Sequence, residues 1–418
     1  MSITITRTID GFIDFGEYFI LGPSMIYCPN TGVKGYGDML MTADLFNFSD
    51  SNVGSVLWRS HDNGETWEKQ GFIDKSYVCD FKGSMVKSGY GSMYADTEAG
   101  VILLIGNDIY WEDNNLKSSW KYRALYYRIS FDNGYTWTDK RYIVQKGKDQ
   151  NGKKYSRMHF LRDVTYGINM ASTVGTCSER ADDGTILVGM QAQIVNENNE
   201  LINPTGMGYL KSGCIKATWI KEKMDYKFDM GEYASVTLDE STRGVFEPTF
   251  AKVGKNKLVM VMRASNSGNE DFHGGTKFIS VSDDNGRTWS KPKPLTYDDG
   301  SVMYSSSCIP KLIHHSNGKI YYIGIINESN PCRNLPRYPI CIAEFDDMTY
   351  TIKKDTVVII DTKRSNHEPK VPTKNLVDYS NQGLYEDKKT GQIVVYAPYR
   401  EDLTQYACVL NKYVIEVL

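Results

Sequence analysis

Long apolar runs, a surplus of charge and paired cysteines are all missing from this sequence, and each absence narrows what the chain can be. No stretch of its 418 residues is apolar for the roughly 20 positions a membrane-spanning helix needs. The 48 basic and 51 acidic residues nearly cancel, leaving no positive surplus to drive binding to nucleic acid phosphates. A small ligand is the more natural partner. The eight cysteines, at 28, 79, 177, 214, 308, 332, 341 and 408, include no Cys-x-x-Cys pair, so a zinc site has little support and most of them read as inert core thiols. His159, His273, His314, His315 and His367 show no metal-binding spacing either, and no cofactor is implied. The N-terminal MSITITRTIDGF alternates polar and apolar residues where a secretory leader would be continuously apolar. The expectation is a protein that stays inside the cell, or one whose leader has been removed.

What the chain has in quantity is tyrosine (29), glycine (36) and tryptophan (7), a mixture suited to half-buried strands joined by tight turns. The expected class is all-β. Length alone would suggest two or three domains of about 150 residues, but the chain repeats itself. Residues 60–67 read SHDNGETW, 130–137 SFDNGYTW and 282–289 SDDNGRTW. A weaker relative, Glu344 to Tyr350, reads EFDDMTY. Asn-Gly between strand-like flanks is a strong hairpin signal, because both residues tolerate positive φ.

A second periodic feature counts the units independently. A glycine turn runs straight into an apolar strand at Gly37, Gly100, Gly184, Gly254, Gly318 and Gly391. Each turn follows one short strand and precedes two more, which makes six units of four strands at a period of about 70 residues. That period predicts a β-propeller with residues 1–418 as a single six-bladed domain, since radial repetition leaves only short protected edges. The last unit is one strand short, and the alternating segment Ser2 to Thr6 is expected to supply it.

The three octapeptides match the Asp-box, and the chain resembles the sialidase superfamily of six-bladed propellers. In that family the boxes lie at the blade periphery and hold a turn, so Asp62, Asp132 and Asp284 are expected to be structural. The resemblance also implies site residues. FEP at 246–248 followed by KLVMVMR at 257–263 resembles the segment carrying a catalytic Glu and a substrate-binding Arg, here Glu247 and Arg263. NLPRYPI at 334–340 resembles the segment carrying another such Arg, here Arg337. Asp378-Tyr379-Ser380 resembles the segment that supplies the nucleophile, which would be Tyr379, and Asp50 lies where the family places its acid/base Asp. One position departs from the pattern: the first blade begins FILGPS at 19–24, without the Arg that completes a three-Arg clamp on the substrate carboxylate. Arg180, Arg243 and Arg400 are the candidates to replace it.

The implied chemistry follows from charge. Sialidases use Tyr as nucleophile, an exception to the two-carboxylate rule of glycosidases, because a neutral phenol approaches an anomeric centre bearing a carboxylate without repulsion. Glu247 would take the phenol proton, Asp50 would protonate the leaving oxygen, and Arg263 and Arg337 would hold an anionic or strongly polar group. Period logic adds the residues leaving the second strand of each unit: Asp44, Asn107, Gln191, Arg263, Asn327 and Arg400. These are expected to ring a sugar pocket. The reading is therefore an exo-acting retaining glycoside hydrolase of sialidase type on a glycan. Its alternatives are a lyase acting on a uronic-acid glycan and a carbohydrate-binding propeller without catalysis.

Overall fold

A computed structural model describes the chain except for residues 1, 30–36, 49–50, 80–84, 112–122, 144, 149–153, 158–170, 174–177, 199, 207, 267–274, 364–376 and 401–407. Asp50, Cys177, His159, His273 and His367 lie outside the described residues. Among the described residues, six antiparallel sheets of four or five strands form the blades of a six-bladed β-propeller, and Gln145–Lys148 pairs with Lys154–Arg157 in a separate two-stranded sheet. Blade 1 is built from Phe19–Tyr27, Met39–Phe48, Ser51–Ser60 and Glu68–Lys75. Blade 2 runs from Met85–Asp96 through Val101–Trp111 and Arg123–Ser130 to Arg141–Tyr142, with Tyr77–Val78 added beside its first strand. Blade 3 comprises Ser178–Arg180, Ile186–Gln193, Leu210–Ile220 and Asp225–Met230; blade 4 comprises Phe246–Gly254, Lys257–Arg263, Phe278–Ser282 and Lys293–Pro294. Blade 5 orders Lys311–His314, Ile320–Ile325, Ile340–Asp346 and Thr351–Ile352, with Val358–Asp361 also on its third strand.

Blade 6 takes three strands from the C-terminal end, Gly383–Glu386, Ile393–Tyr399 and Val409–Val417, and its outermost strand, Ile3–Asp14, from the N-terminus. Ile3 pairs Val417 and Asp14 pairs Val409. Joining the two ends of the sequence in one sheet closes the ring and covers an edge that would otherwise be a template for pairing with another chain.

The period-2 alternation of the strands puts apolar side chains between blades, and the core is a series of such interfaces. Between blades 5 and 6, for example, Ile323, Ile325, Ile340 and Ile342 meet Val395, Ala397, Tyr413 and Ile415. The first strands of all six blades line an axial cavity of about 680 Å3, among them Tyr27, Tyr94, Glu179, Phe250, Leu312 and Leu384.

The Asp-boxes sit between the third and fourth strands of blades 1, 2 and 4. In each the Asp carboxylate accepts from the backbone N–H and the hydroxyl of the Thr four residues on, at 2.8 and 2.6 Å for Asp132 and Thr136. Those bonds, with the box Ser hydroxyl, hold Asp62, Asp132 and Asp284 below the usual carboxylate range against the opposing effect of burial. The boxes also do more than hold a turn. Each tip docks on the preceding blade: Arg59 Nη2 donates to the Asn133 carbonyl, the Cys214 thiol to the Gly286 carbonyl, and the Tyr396 hydroxyl and Lys412 ammonium to the Gly64 carbonyl. Among the described residues no helix is long and apolar enough to cross a membrane.

Candidate functional site

The segments that lead into each first strand and those that leave each second strand come together at one end of the ring, and blades 4, 5 and 6 put most of the charge there. Glu247 opens the first strand of blade 4. Its φ is +49°, a left-handed conformation that is costly for a non-glycine residue and unusual immediately before proline. The strained backbone is held by Gln191 Oε1, which accepts the Glu247 N–H at 3.0 Å. The carboxylate accepts from Arg263 Nη1 at 2.7 Å, and both side chains are 11% exposed. Strain of this kind collects at functional sites, where the surrounding structure over-determines it.

Arg263 then reaches into blade 5, where its Nε donates to the Ser307 hydroxyl at 3.0 Å. The Asn334 side-chain amide lies between two guanidinium groups, 3.3 Å from Arg263 Nη2 and 3.2 Å from Arg337 Nη2. Arg337 donates to Asp378 at 2.9 Å and to the Ser380 hydroxyl at 3.1 Å. Arg400 donates to the same Asp378 oxygen at 3.1 Å, and its guanidinium lies 4.1 Å from the centre of the Phe19 ring, at the start of blade 1. Asp378 is 2% exposed. Burial alone would raise its pKa, but the charges of Arg337 and Arg400 and the bonds from Ser380 outweigh it and hold the carboxyl below its ordinary range.

Four of the sequence-derived residues, Glu247, Arg263, Arg337 and Arg400, are thus brought together. Among the candidates to replace the absent first-blade arginine, Arg180 is committed to Asp96 and Glu98 and Arg243 lies over the Phe246 ring. Arg400 is the one that shares a carboxylate with Arg337 and stands over blade 1. Sequence reasoning had the position of Arg400 from the period but not its partner.

Other expected residues stand apart from this cluster. Tyr379 does not face this cluster. It is fully buried (0%) in the core between blades 5 and 6, its ring centroid 5.2 Å from that of Tyr399 and its hydroxyl donated to the Thr362 carbonyl at 3.1 Å. Asp378 is bridged to Arg337 and Arg400 just before the first strand of blade 6, and its carboxylate and the Ser380 hydroxyl meet Arg337 while the Tyr379 ring between them packs into the core. The amides at the period positions are bonded to neighbouring segments. Asn107 exchanges two bonds with Thr173 as blade 3 begins, at 2.6 and 2.8 Å, Gln191 accepts from Glu247, and Asn327 accepts from the Ser306 N–H at 2.7 Å while donating to the Tyr338 carbonyl at 3.0 Å. Buried backbone donors and acceptors must be paired, and these amides pair them. Asp44 is also buried, accepts the Ser55 hydroxyl, and packs where Gly89 leads into blade 2.

Residues that sequence reasoning passed over include Asp378 and Ser380, which flank the chosen Tyr, and Ser307, for which no motif gave a signal. Among the described residues, no group of His, Cys, Asp and Glu is arranged to hold a metal ion.

Comparison with known proteins agrees with the geometry. A model of the BNR repeat-like domain matches residues 109–309 and one of the BNR/Asp-box repeat matches residues 58–69. No curated protein matches the chain in sequence. Among solved structures it is similar to a Hadza microbial sialidase, with 16% identity, TM-score 0.58, and 96% of this chain against 68% of that one. The NanB sialidase of Streptococcus pneumoniae is 12% identical with TM-score 0.60, covering 99% of this chain and 70% of that one. The intramolecular trans-sialidase of Ruminococcus gnavus is 12% identical with TM-score 0.57 and covers 95% and 94% of the two chains. With strand order, Asp-boxes and structural likeness in agreement, the chain has the six-bladed β-propeller fold seen in the sialidases and carries sequence similar to the BNR repeat over the matched residues.

Proposed function

We propose that this propeller is a sialidase-type glycan-processing protein that takes a terminal sugar carrying an anionic group. The observation that carries this reading is a charge count. Three guanidinium groups, Arg263, Arg337 and Arg400, share two carboxylates, Glu247 and Asp378, which leaves one positive charge in excess in a largely buried cluster. A planar carboxylate is the group that guanidinium forks match best. Sialic acid and the uronic acids both supply it.

Within this reading the activity is exo-acting, retaining glycoside hydrolysis, with Glu247 as base and Asp50 as acid. Tyr379 is the family's choice of nucleophile. Its burial favours a second reading, a carbohydrate-binding propeller without turnover. Aryl glycosides of sialic acid, glucuronic acid and galactose separate the readings when assayed with wild type and Tyr379→Phe. A hydrolase releases aryl alcohol and a reducing sugar whose initial anomer NMR identifies. A lyase needs a leaving group on O4 of a uronate, so a 4-linked uronic-acid oligosaccharide is assayed beside the aryl glycosides, and its cleavage by a lyase gives an unsaturated product absorbing in the ultraviolet. A binder releases neither but retains affinity for the acid sugars. Turnover lost in Tyr379→Phe supports a Tyr nucleophile that turns inward on binding; unchanged turnover excludes it. Absence of both turnover and affinity for every acid sugar would overturn the reading as a whole.

A further inference from the structure

One side chain next to the arginine cluster breaks a local rule of sheet construction. Lys277 immediately precedes the third strand of blade 4, and because Met262 pairs Phe278, continuing the register sets Lys277 opposite Arg263. Like charges directly across a strand pair are destabilising, and here one of them is a lysine with 0% exposure. Its Nζ donates to the Ser306 carbonyl at 2.6 Å. A residue that costs stability without a packing gain is where function is to be sought.

The contact of Lys277 leads into the site. Ser306 belongs to an arch in which the Ser305 N–H donates to the Gly275 carbonyl, the Ser306 N–H to Asn327, and the Ser307 N–H to the Arg333 carbonyl. The hydroxyl of Ser307 is the acceptor for Arg263 Nε. Among the described residues, Cys308, Arg263 and Glu247 act on the charge of the lysine.

We propose that Lys277 is a positioning residue of the site described above: it fixes the Ser306–Ser307 arch that orients Arg263, and its ammonium adds a positive charge beneath the anionic group of a bound sugar. The proposal rests on the anionic-sugar reading for its second half only. Burial, aided by Arg263 and opposed by Cys308 and Glu247, pulls the Lys277 pKa down to about 7. An anion bound at the arginines would raise it again, so binding above neutrality draws a proton onto Nζ.

Isothermal titration calorimetry with N-acetylneuraminic acid, glucuronic acid and galactose, at about pH 7.5 in two buffers of different ionisation enthalpy, tests the charge. Wild type is expected to take up a fraction of a proton with an acid sugar and none with galactose. Lys277→Met is expected to bind the acid sugars about tenfold more weakly and to take up no proton. Equal affinity and equal uptake in wild type and Lys277→Met would overturn the proposal, and Lys277→Gln serves if the Met variant does not fold. If wild type binds no acid sugar, the functional reading fails and the positioning half is read without ligand. The Arg263 Nε–Hε NMR signal, assigned with Arg263→Lys, is then expected to shift between about pH 6 and 8 in wild type but not in Lys277→Met. A signal in wild type that ignores pH over that range would overturn it.

Discussion

Arg400 shows how one side chain can be both structural and functional. It shares Asp378 with Arg337 and covers Phe19, so removing it leaves a buried carboxylate with one cationic partner instead of two. Arg400→Met is expected to weaken acid-sugar binding ten- to a hundredfold, about 1.4–3 kcal/mol, and to lower stability because a buried charge is left under-compensated. Adding Asp378→Asn should recover part of that stability while leaving affinity low. Calorimetry and urea unfolding on the two single variants and the double variant measure the coupling. Lys277 makes a prediction of opposite sign. Its folded pKa of about 7 lies below its unfolded value, so above about pH 7 the unfolded chain holds a proton that the folded chain does not. Stability should therefore rise with pH from about 7 to 10, by up to about 1.4 kcal/mol per unit from this group. Urea unfolding of wild type minus Lys277→Met across that window isolates the contribution; a flat difference would mean that the lysine is charged in the fold.

At the scale of elements, the turn glycines and Asp-boxes were legible because their chemistry is local. Gly134 needs its φ of +83°, and a Cβ there would also collide with Leu40 Cδ1 on blade 1. Gly134→Ala is thus expected to destabilise the protein by more than the roughly 1 kcal/mol usual for this change, because strain and clash add. Asp132→Ala, which strands the Thr136 donors, should cost about 1–3 kcal/mol. Both variants should keep wild-type affinity for acid sugars, read by thermal unfolding and calorimetry on the same samples. The period also found equivalent strand ends at Asn107, Gln191, Arg263, Asn327 and Arg400, but equivalence of position did not make equivalence of role. The amides are consumed by backbone groups of neighbouring segments, while the arginines, longer and charged, reach past them into the shared cluster.

At the scale of the whole molecule, ring closure depends on Ile3–Asp14 pairing with Val409–Val417, supported by the Lys412 and Arg7 bonds to Glu65 of blade 1. Deleting residues 2–10 should lower the midpoint of thermal unfolding by more than about 5 °C, since it exposes a strand edge and unseats the contact between blades 6 and 1. Differential scanning calorimetry of the truncated chain is the check, and an unchanged midpoint would show that the ring holds without its last strand.

The sequence by itself determined the all-β class, the repeat and the number of blades, because each turn is specified by residues within a few positions of one another and recurs along the chain. It also pointed to Glu247, Arg263 and Arg337 by resemblance, and the fold brings these three side chains together. Only the tertiary structure decided that Tyr379 turns into the core while Asp378 turns to the arginines. It alone decided that Arg400 from the last blade stands over the first, where the expected arginine is missing, and that Lys277 lies beneath Arg263. The reason is physical: residues 377–380 lie outside the regular strands and are held by the bridges of Asp378 to Arg337 and Arg400, so the way each side chain faces depends on segments distant in sequence. Which distant charge then meets which is set by the closure of the ring, and no local spacing records it.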